Sequence, residues 1–327
     1  MNVMEDLMSD QAIDHTELAR VVAVINGKGG VLKTSITANV AGRLATAGYH
    51  VLAIDLDISG NLKLDLGLIK HPQEDGGKGL VEAIWSNGEM PIVRDVRKGL
   101  DVIFGGRELA ILESLNSSSH AGELPGGSVP GEFARKLAEV APDYDLILLD
   151  CPPGNAELQD MALAATRWVL IPTKTDQGSW DGLLAVGPRV KKARQTNRGL
   201  GYLGVVITDH NPAATRVLGN TKARLDEVGE TVPLLDTWIR HTQAEAHDCR
   251  SRGQLAHELA RDATASNSQR FAALSARRAG DNVIPLPTAL SGTADSLAGD
   301  YTALAKEITD KITAAEAADQ LTAESNA

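Results

Sequence analysis

Short runs that are apolar at nearly every position recur along the chain, and most are followed by a polar or turn-forming residue. Strands of this kind are buried on both faces, as in parallel sheets covered by helices on both sides. Most of the intervening stretches have helical spacing, for example 34–49. The sequence therefore predicts an α/β fold with a doubly wound, mostly parallel sheet and helices on both faces. The predicted strands are 20–26, 50–57, 100–105, 144–150, 167–172, 201–208 and 231–235.

Polar and turn-forming residues at the ends of these strands predict where a ligand binds. In open α/β sheets, ligands bind beyond the carboxyl ends of the strands. Asn26, Asp57, Asp150, Pro172 and Thr208 fall at such ends, so we expect the chemistry to converge on one edge of the sheet.

Length and composition narrow the class of protein. The 327 residues are predicted to form a polar leader, 1–19, and a single domain, 20–327, with surface insertions near 116–131 and 265–297. The only cysteines, Cys151 and Cys249, form no CxxC pair, which argues against a disulfide framework or a thiolate metal cluster. The leader is acidic and no run is long enough to span a bilayer, so we expect a cytoplasmic protein.

The segment Gly27–Thr34, GKGGVLKT, lies between a predicted strand and a predicted helix, which is the setting of a phosphate-binding loop. Backbone N–H groups and the positive end of the helix would face the phosphates. Lys33 would reach the β- and γ-phosphates, and the Thr34 hydroxyl would bind Mg²⁺. Leu32 stands where such loops place their second glycine, so a plain Gly/Lys-rich turn is the alternative.

Acidic residues favour the phosphate-loop interpretation. Asp150 ends the apolar strand 144–150, where a Walker B carboxylate holds magnesium through water. Asp55 and Asp57 end a further apolar strand. Each could be a solvated strand end, but three carboxylates beside a phosphate loop predict a nucleotide and magnesium site.

These segments resemble the ParA/MinD group of deviant Walker A ATPases, whose loop reads KGGxGK[ST][ST]. Lys28 matches the signature lysine of that loop, and 51–67 is similar to the switch segment of the group. Stretches around 100–110, 144–154 and 242–254 also resemble segments of ParA proteins, and the resemblance covers roughly 21–259. It implies a P-loop NTPase fold that binds ATP with Mg²⁺.

The resemblance implies a role for each matching residue. Lys28, Lys33 and Asp57 would be catalytic, with Lys28 reaching the nucleotide of a partner subunit and Asp57 positioning the attacking water. The metal residues would be Thr34, Asp55 and Asp150. The nucleotide-binding residues would be Gly27, Lys28, Gly29, Gly30, Val31, Leu32, Lys33, Thr34 and Ser35, with Asp209 near the adenine.

Two departures from the family pattern bear on activity. Ile58 and Ser59 replace the usual Pro-Gln after Asp57, so the switch loop is expected to move differently. Leu32 leaves its backbone N–H available for phosphate, but its side chain can crowd the loop or a neighbouring subunit. We therefore expect ATP binding to survive, whereas the rate of hydrolysis stays open.

Charge distinguishes the branches of the family. Residues 300–327 hold six acidic residues against Lys306 and Lys311, which argues against a basic membrane-binding helix of the MinD kind. The segment 188–198 carries five basic residues and no acidic one, which suggests non-specific DNA binding, although such a run can also be a solvated helix face. The DNA-binding candidates are Arg189, Lys192, Arg194, Arg216, Arg240 and Arg252.

The leading hypothesis is a ParA-like DNA-partition ATPase of a plasmid or chromosome. By resemblance it would dimerise on ATP, bind DNA non-specifically, associate with the nucleoid and be released when a ParB-type adaptor stimulates slow hydrolysis. The alternative is an ATP-gated scaffold or positioning protein for a protein cargo, in which Leu32 weakens hydrolysis.

Overall fold

A computed structural model of the chain describes residues 15–116, 118–210, 223–225, 232–240, 242–278 and 294–325. Within this part, seven strands form one sheet in the order β3-β4-β2-β5-β1-β6-β7. The strands are β1 (Val21–Val24), β2 (Val51–Asp55), β3 (Val93–Arg97), β4 (Leu100–Ile103), β5 (Leu146–Asp150), β6 (Trp168–Thr173) and β7 (Gly201–Ile207). All neighbouring pairs are parallel except β3 with β4, so the predicted doubly wound, mostly parallel sheet is confirmed.

Helices connect the strands and cover both faces of the sheet. Their bounds are α1 (Lys33–Thr46), α2 (Leu62–Asp65), α3 (Lys78–Trp85), α4 (Ala110–Asn116), α5 (Val129–Val140), α6 (Ala156–Ala164), α7 (Gln177–Leu184), α8 (Val186–Ala193), α9 (Gln243–Arg252), α10 (Ala256–Arg278) and α11 (Ala294–Ser325). Single 3₁₀ turns lie at Arg107–Leu109, Ser119–Glu123 and Ala141–Asp143.

The two faces of the sheet bury separate apolar cores. Successive side chains of a strand point to opposite faces. Val21 and Ala23 of β1 accordingly lie in one core, with α3, α5, α6 and α8. Val22 and Val24 lie in the other, with α1, α10 and α11. Strands that are buried on both faces need apolar residues throughout, which explains the uninterrupted runs in the sequence.

The edges of the sheet differ from the sequence prediction. Strand β3 was not predicted, because its residues are mostly polar and partly exposed, as an antiparallel edge strand allows. The predicted strand 231–235 is wrong for the described residues 232–235, which contribute a bridge from Leu234 to Val205 and no named strand. Residue 231 lies outside the described residues.

Helices reach into both segments that were predicted as irregular insertions. A 3₁₀ turn lies inside 116–131, and α5 begins at Val129, where the Ser128 side chain caps it by accepting a hydrogen bond from the Gly131 N–H. Helix α10 runs through 265–278, and α11 begins at Ala294, while 279–293 lie outside the described residues. Gly and Pro therefore mark these segments without keeping helices out of them.

Helix α11 extends along the molecule and is tied to distant parts of the chain. Glu316 pairs with Arg20 at 2.6 Å, Asp319 with Arg167 at 3.3 Å and Asp300 with Arg240 at 2.6 Å. The acidic residues of this helix thus include several that hold it to the body of the domain.

Candidate functional site

The loop between β1 and α1 is held at its start by Asn26. Its side-chain amide donates to the Pro172 carbonyl at 2.9 Å, and its Oδ1 accepts the backbone N–H of Lys28 at 2.8 Å. Lys33, the first residue of α1, is buried, and its ammonium donates to the carbonyl of Lys28 at 2.9 Å. The lysine therefore folds back over the loop.

Leu32 adopts a backbone conformation that suits glycine. It is the N-cap residue of α1, with φ of 67° and ψ of 23° in the left-handed region. The other non-glycine residues with positive φ in the described part are Asn87, Asp95 and Asp209, which are types that tolerate it. For a leucine, this conformation costs roughly 1–2 kcal/mol. The loop thus keeps its glycine-like geometry although the glycine is missing.

Two of the predicted metal residues are direct neighbours in the sheet. Asp55 of β2 and Asp150 of β5 are paired in the parallel register. Asp55 accepts the backbone N–H of Asp57 at 2.9 Å and that of Leu62 at 3.0 Å. Asp150 is fully buried, and its side-chain oxygens accept no well-formed hydrogen bond, although the Thr34 hydroxyl lies close enough to lower its pKa.

Burial sets the electrostatics of this group. It raises the pKa of Asp150 well above its usual value, and the neighbouring Asp55 adds to this, while Thr34 and Lys33 act in the opposite direction. Burial likewise raises the pKa of Asp55 to about 7. It lowers the pKa of Lys33, against the attraction of Asp150. Carboxylates that resist ionisation next to a buried ammonium favour a bound cation, because a cation would stabilise their charged forms.

The buried carboxylate of Asp150 fits a magnesium site. A buried charged group without a hydrogen-bond partner is costly, so it needs an ion or an ordered water. In the described part of the chain, no three His, Cys, Asp or Glu side chains are arranged to hold a metal by themselves. A magnesium ion here would therefore take its ligands from the Thr34 hydroxyl, water and phosphate oxygens, and Asp150 would accept a hydrogen bond from one of the magnesium-bound waters.

A cavity of about 600 Å³ opens at this edge of the sheet. Its wall includes Leu32, Lys33, Thr34 and Asp57 from the phosphate loop and switch segment. The volume lies within the range of small-molecule and cofactor sites. Further wall residues come from the chain after β7 and from α9 and α11, among them Asp209, Ile239, Arg240, Arg250 and Tyr301.

The other predicted nucleotide-binding residues surround the same cavity or support it. Gly29, Gly30 and Ser35 line it, and the Ser35 hydroxyl donates to Asp65 at 2.8 Å. Val31 is buried, and its carbonyl accepts the Thr208 hydroxyl at 3.3 Å. Gly27 lies beneath the loop, where its N–H donates to the carbonyl of Gly182 at 3.0 Å. Asp209 pairs with Lys174 at 2.8 Å.

Lys28 has a partner that the sequence did not indicate. Its ammonium lies 2.6 Å from Oδ1 of Asp176, and the same carboxylate caps α7 by accepting the N–H of Ser179 at 3.0 Å. The Lys28 ammonium lowers the pKa of Asp176, with help from Ser179. Asp176 follows β6 at the carboxyl edge of the sheet, so the rule on strand ends could have found it.

The ion pair between Asp65 and Arg250 was also missed. Arg250 of α9 lies 2.8 Å from Asp65 Oδ1, and Ser35 bonds to the other oxygen of Asp65. Arg250 thereby reaches the phosphate-loop helix from a distant part of the chain. No local sequence pattern marks an ion pair between residues 185 positions apart.

The predicted DNA-binding residues do not form one free stripe. Arg189 and Lys192 share a helix face as predicted, but both pair with Asp160, at 3.3 and 2.7 Å. Arg194 donates to the Leu200 carbonyl and lies over the ring of Tyr202. Arg240 lines the cavity and pairs with Asp300. Arg252 is exposed, and Arg216 lies outside the described residues.

Two further observations concern residues outside the cavity. Cys151 is fully buried, as expected of a small core residue, and burial raises the pKa of its thiol. Among the described residues, none of the helices combines the length and apolarity that crossing a membrane requires.

Fold and site together define a P-loop protein of the doubly wound α/β class. A family model described as an AAA domain matches residues 19–201, more than half of the chain, so the chain belongs to this family. It is a member of the ParA/MinD group of P-loop ATPases. This confirms the resemblance that was noted in the sequence.

Three comparisons illustrate the relationship. The chain is 28% identical over 266 residues to the chromosome-partitioning ATPase Soj of Treponema pallidum, covering 77% of this chain and 100% of the relative. Cobyrinic acid a,c-diamide synthase of Mycobacterium smegmatis, solved with ADP and magnesium, is 25% identical, with a TM-score of 0.58 over 72% of this chain and 92% of that one. The fold also matches the cell division ATPase MinD of Pyrococcus furiosus, at 22% identity and a TM-score of 0.60 over 89% and 99%.

Proposed function

We propose that the chain is a magnesium-dependent ATPase that partitions DNA. The buried Asp150 carboxylate carries the nucleotide part of this proposal, because it ends the strand next to β1 and its oxygens accept no well-formed hydrogen bond. The chromosome-partitioning relatives support the DNA part. Partition ATPases and positioning ATPases share this fold, so the basic surface becomes the deciding feature.

In this proposal each side chain of the site has a distinct task. Lys33 and the loop N–H groups neutralise and hold the phosphates, and Thr34, Asp55 and Asp150 are the metal residues. A bound magnesium ion neutralises charge on the β- and γ-phosphates. Asp57 Oδ1 accepts the Ser59 N–H at 2.8 Å, which fixes the carboxylate so that its other oxygen can orient the attacking water.

Lys28 is proposed to act across a dimer of two ATP-bound subunits. Its side chain is 41% exposed, and the contact that holds it within the described part of the chain is an ion pair near the surface, which is weak enough to exchange for a more highly charged phosphate. A cation that arrives only on dimerisation stabilises the transition state only in the dimer. Hydrolysis would then release the dimer, slowly unless a ParB-type adaptor stimulates it.

The structure changes which basic residues we propose for DNA. Lys191 and Arg198 are exposed, and no hydrogen bond or ion pair involves them in the described part of the chain. They lie in the predicted basic segment and join Arg252 as direct candidates, whereas Arg189 and Lys192 must first leave Asp160. In a cell, such a protein would be associated with the nucleoid while it holds ATP.

The experiment that tests the proposal is retention on non-specific double-stranded DNA, followed with a biolayer sensor at low salt. We expect retention with ATP and magnesium and none with ADP. Absence of retention with a slowly hydrolysed ATP analogue, in a protein that binds the analogue, would exclude DNA partition. The alternative of an ATP-gated scaffold for a protein cargo would then be the better account.

A further inference from the structure

Leu32 is held in a backbone conformation that is unfavourable for leucine, so contacts of its side chain must offset the strain. Its carbonyl accepts the N–H of Ile36 at 2.8 Å, which makes it the residue that begins α1. Glycine would adopt the same φ of 67° without strain. A leucine at this position is therefore not explained by the backbone of the loop.

The side chain of Leu32 is partly buried and faces apolar neighbours. It packs against the core that contains Leu235, Ile239 and Leu255. It also lines the cavity, together with Ile239. Part of the Leu32 side chain thus rests on the core, and the rest of it faces the cavity.

The wall of the cavity combines two chemical environments. Lys33, Thr34 and Asp57 are polar or charged and suit phosphates. Leu32 and Ile239 add branched aliphatic surface to the same wall. A triphosphate has no apolar groups that could pack against this aliphatic surface, whereas the ribose and the aromatic base of a nucleotide present apolar faces.

We infer that Leu32 is an apolar contact for the nucleoside part of the bound nucleotide, and so a residue that determines specificity for nucleotides over inorganic oligophosphates. The inference rests on the proposed nucleotide binding. It gives Leu32 a positive role in affinity, beside the effect on the rate of hydrolysis that the sequence left open.

The test compares calorimetric binding of ATP, ADP and inorganic tripolyphosphate, each with magnesium, to the wild type and to Leu32→Gly. Loss of the aliphatic contact is expected to weaken ATP and ADP binding by about 5- to 20-fold. Binding of tripolyphosphate is expected to stay within about twofold, because the loop N–H groups and Lys33 are unchanged.

Leu32→Asn is the matched control, because asparagine tolerates a positive φ and keeps the loop less flexible than glycine does. It is expected to weaken ATP as Leu32→Gly does, which would show that the apolar side chain matters and not the stiffness of the loop. Equal or tighter ATP binding by both variants would overturn the inference. Lack of ATP binding by the wild type would instead overturn the proposed function.

Discussion

The ammonium of Lys28 lies 2.6 Å from the carboxylate of Asp176 in the same chain, so the signature lysine is engaged within its own subunit. If Lys28 acts across a dimer, it must leave this carboxylate first. The ion pair then competes with dimerisation.

Asp176→Asn is therefore expected to lower the ATP concentration at which the protein dimerises, by about two- to fivefold, the range of an exposed ion pair. Asparagine still caps α7 through its oxygen, so the fold is retained. Analytical ultracentrifugation across an ATP series measures the midpoint. An unchanged midpoint, with thermal unfolding also unchanged, would mean that the pair does not restrain Lys28.

At most helix positions an alanine variant is more stable than a glycine variant, and at position 32 we expect the opposite order of stability. Leu32→Ala keeps the left-handed strain and Leu32→Gly removes it, while both lose the packing of the leucine. We expect Leu32→Gly to be the more stable of the two by about 1 kcal/mol in urea denaturation. Equal or greater stability of Leu32→Ala would contradict backbone strain at position 32.

Asp150→Asn tests the proposed magnesium site. The amide keeps the shape of the buried side chain but removes the charge that would hold a cation. ATP turnover is expected to fall by about 10- to 100-fold, the typical effect of losing an outer ligand of a metal. ATP affinity measured with and without magnesium should also become more alike. A variant whose magnesium dependence matched the wild type would contradict this role.

Asp160→Asn tests the basic surface. Removal of this negative charge weakens the contacts that hold Arg189 and Lys192, so both can exchange more readily to phosphates. We expect tighter binding to non-specific DNA, with the slope of log K against log salt steeper by about 1 to 2. Arg194→Ala serves as the comparison, since its side chain is occupied within the chain and its loss should leave the salt slope unchanged. Identical slopes for Asp160→Asn and wild type would place the DNA elsewhere.

The protonation of His257 should contribute to the loss of stability at acidic pH. Burial lowers the pKa of this histidine, and its Nδ1 has no hydrogen-bond partner. The unfolded chain, with a histidine pKa of about 6.5, therefore takes up the proton more readily than the folded chain. Stability from this group is complete above that pH and declines as the pH falls towards the lower, folded pKa.

His257→Gln should accordingly lose less stability than the wild type between pH 7.5 and pH 5.5, as measured by urea midpoints. Glutamine can still reach the Thr46 hydroxyl, which the histidine contacts at 3.3 Å. The same fall in midpoint for both proteins would show that other groups account for the acid sensitivity.

Features that depend on local pattern could be predicted from the sequence. Strand β1 is apolar throughout, and β2 and β5 are apolar up to their final aspartates, because all three lie in the middle of the sheet and are covered on both faces. The edge strand β3 could not be found this way, since exposure removes the apolar signal. The strand predicted at 231–235 failed for the opposite reason, because apolar residues there pack on the core without extended pairing.

In the candidate site, too, features that depend on local pattern were predicted and features that depend on distant residues were not. The loop and the carboxylates after β2 and β5 follow from motifs of a few residues each. The pairs Lys28–Asp176 and Asp65–Arg250 join residues 148 and 185 positions apart, so only the three-dimensional fold brings them together. The charge of the segment 188–198 also gave an incomplete prediction of its surface. Asp160 of another helix pairs with Arg189 and Lys192, and the sequence of the segment does not show this.

Helix α11 has a consequence for how the protein matures during synthesis. The carboxylate of Asp300 accepts hydrogen bonds from the backbone N–H and the guanidinium of Arg240. The carboxylate of Glu307 accepts the backbone N–H groups of Asp236 and Thr237. This helix leaves the ribosome after every strand of the sheet has already been made. Both the core around α1 and the wall of the cavity opposite the phosphate loop thus gain their last supports only when this helix docks.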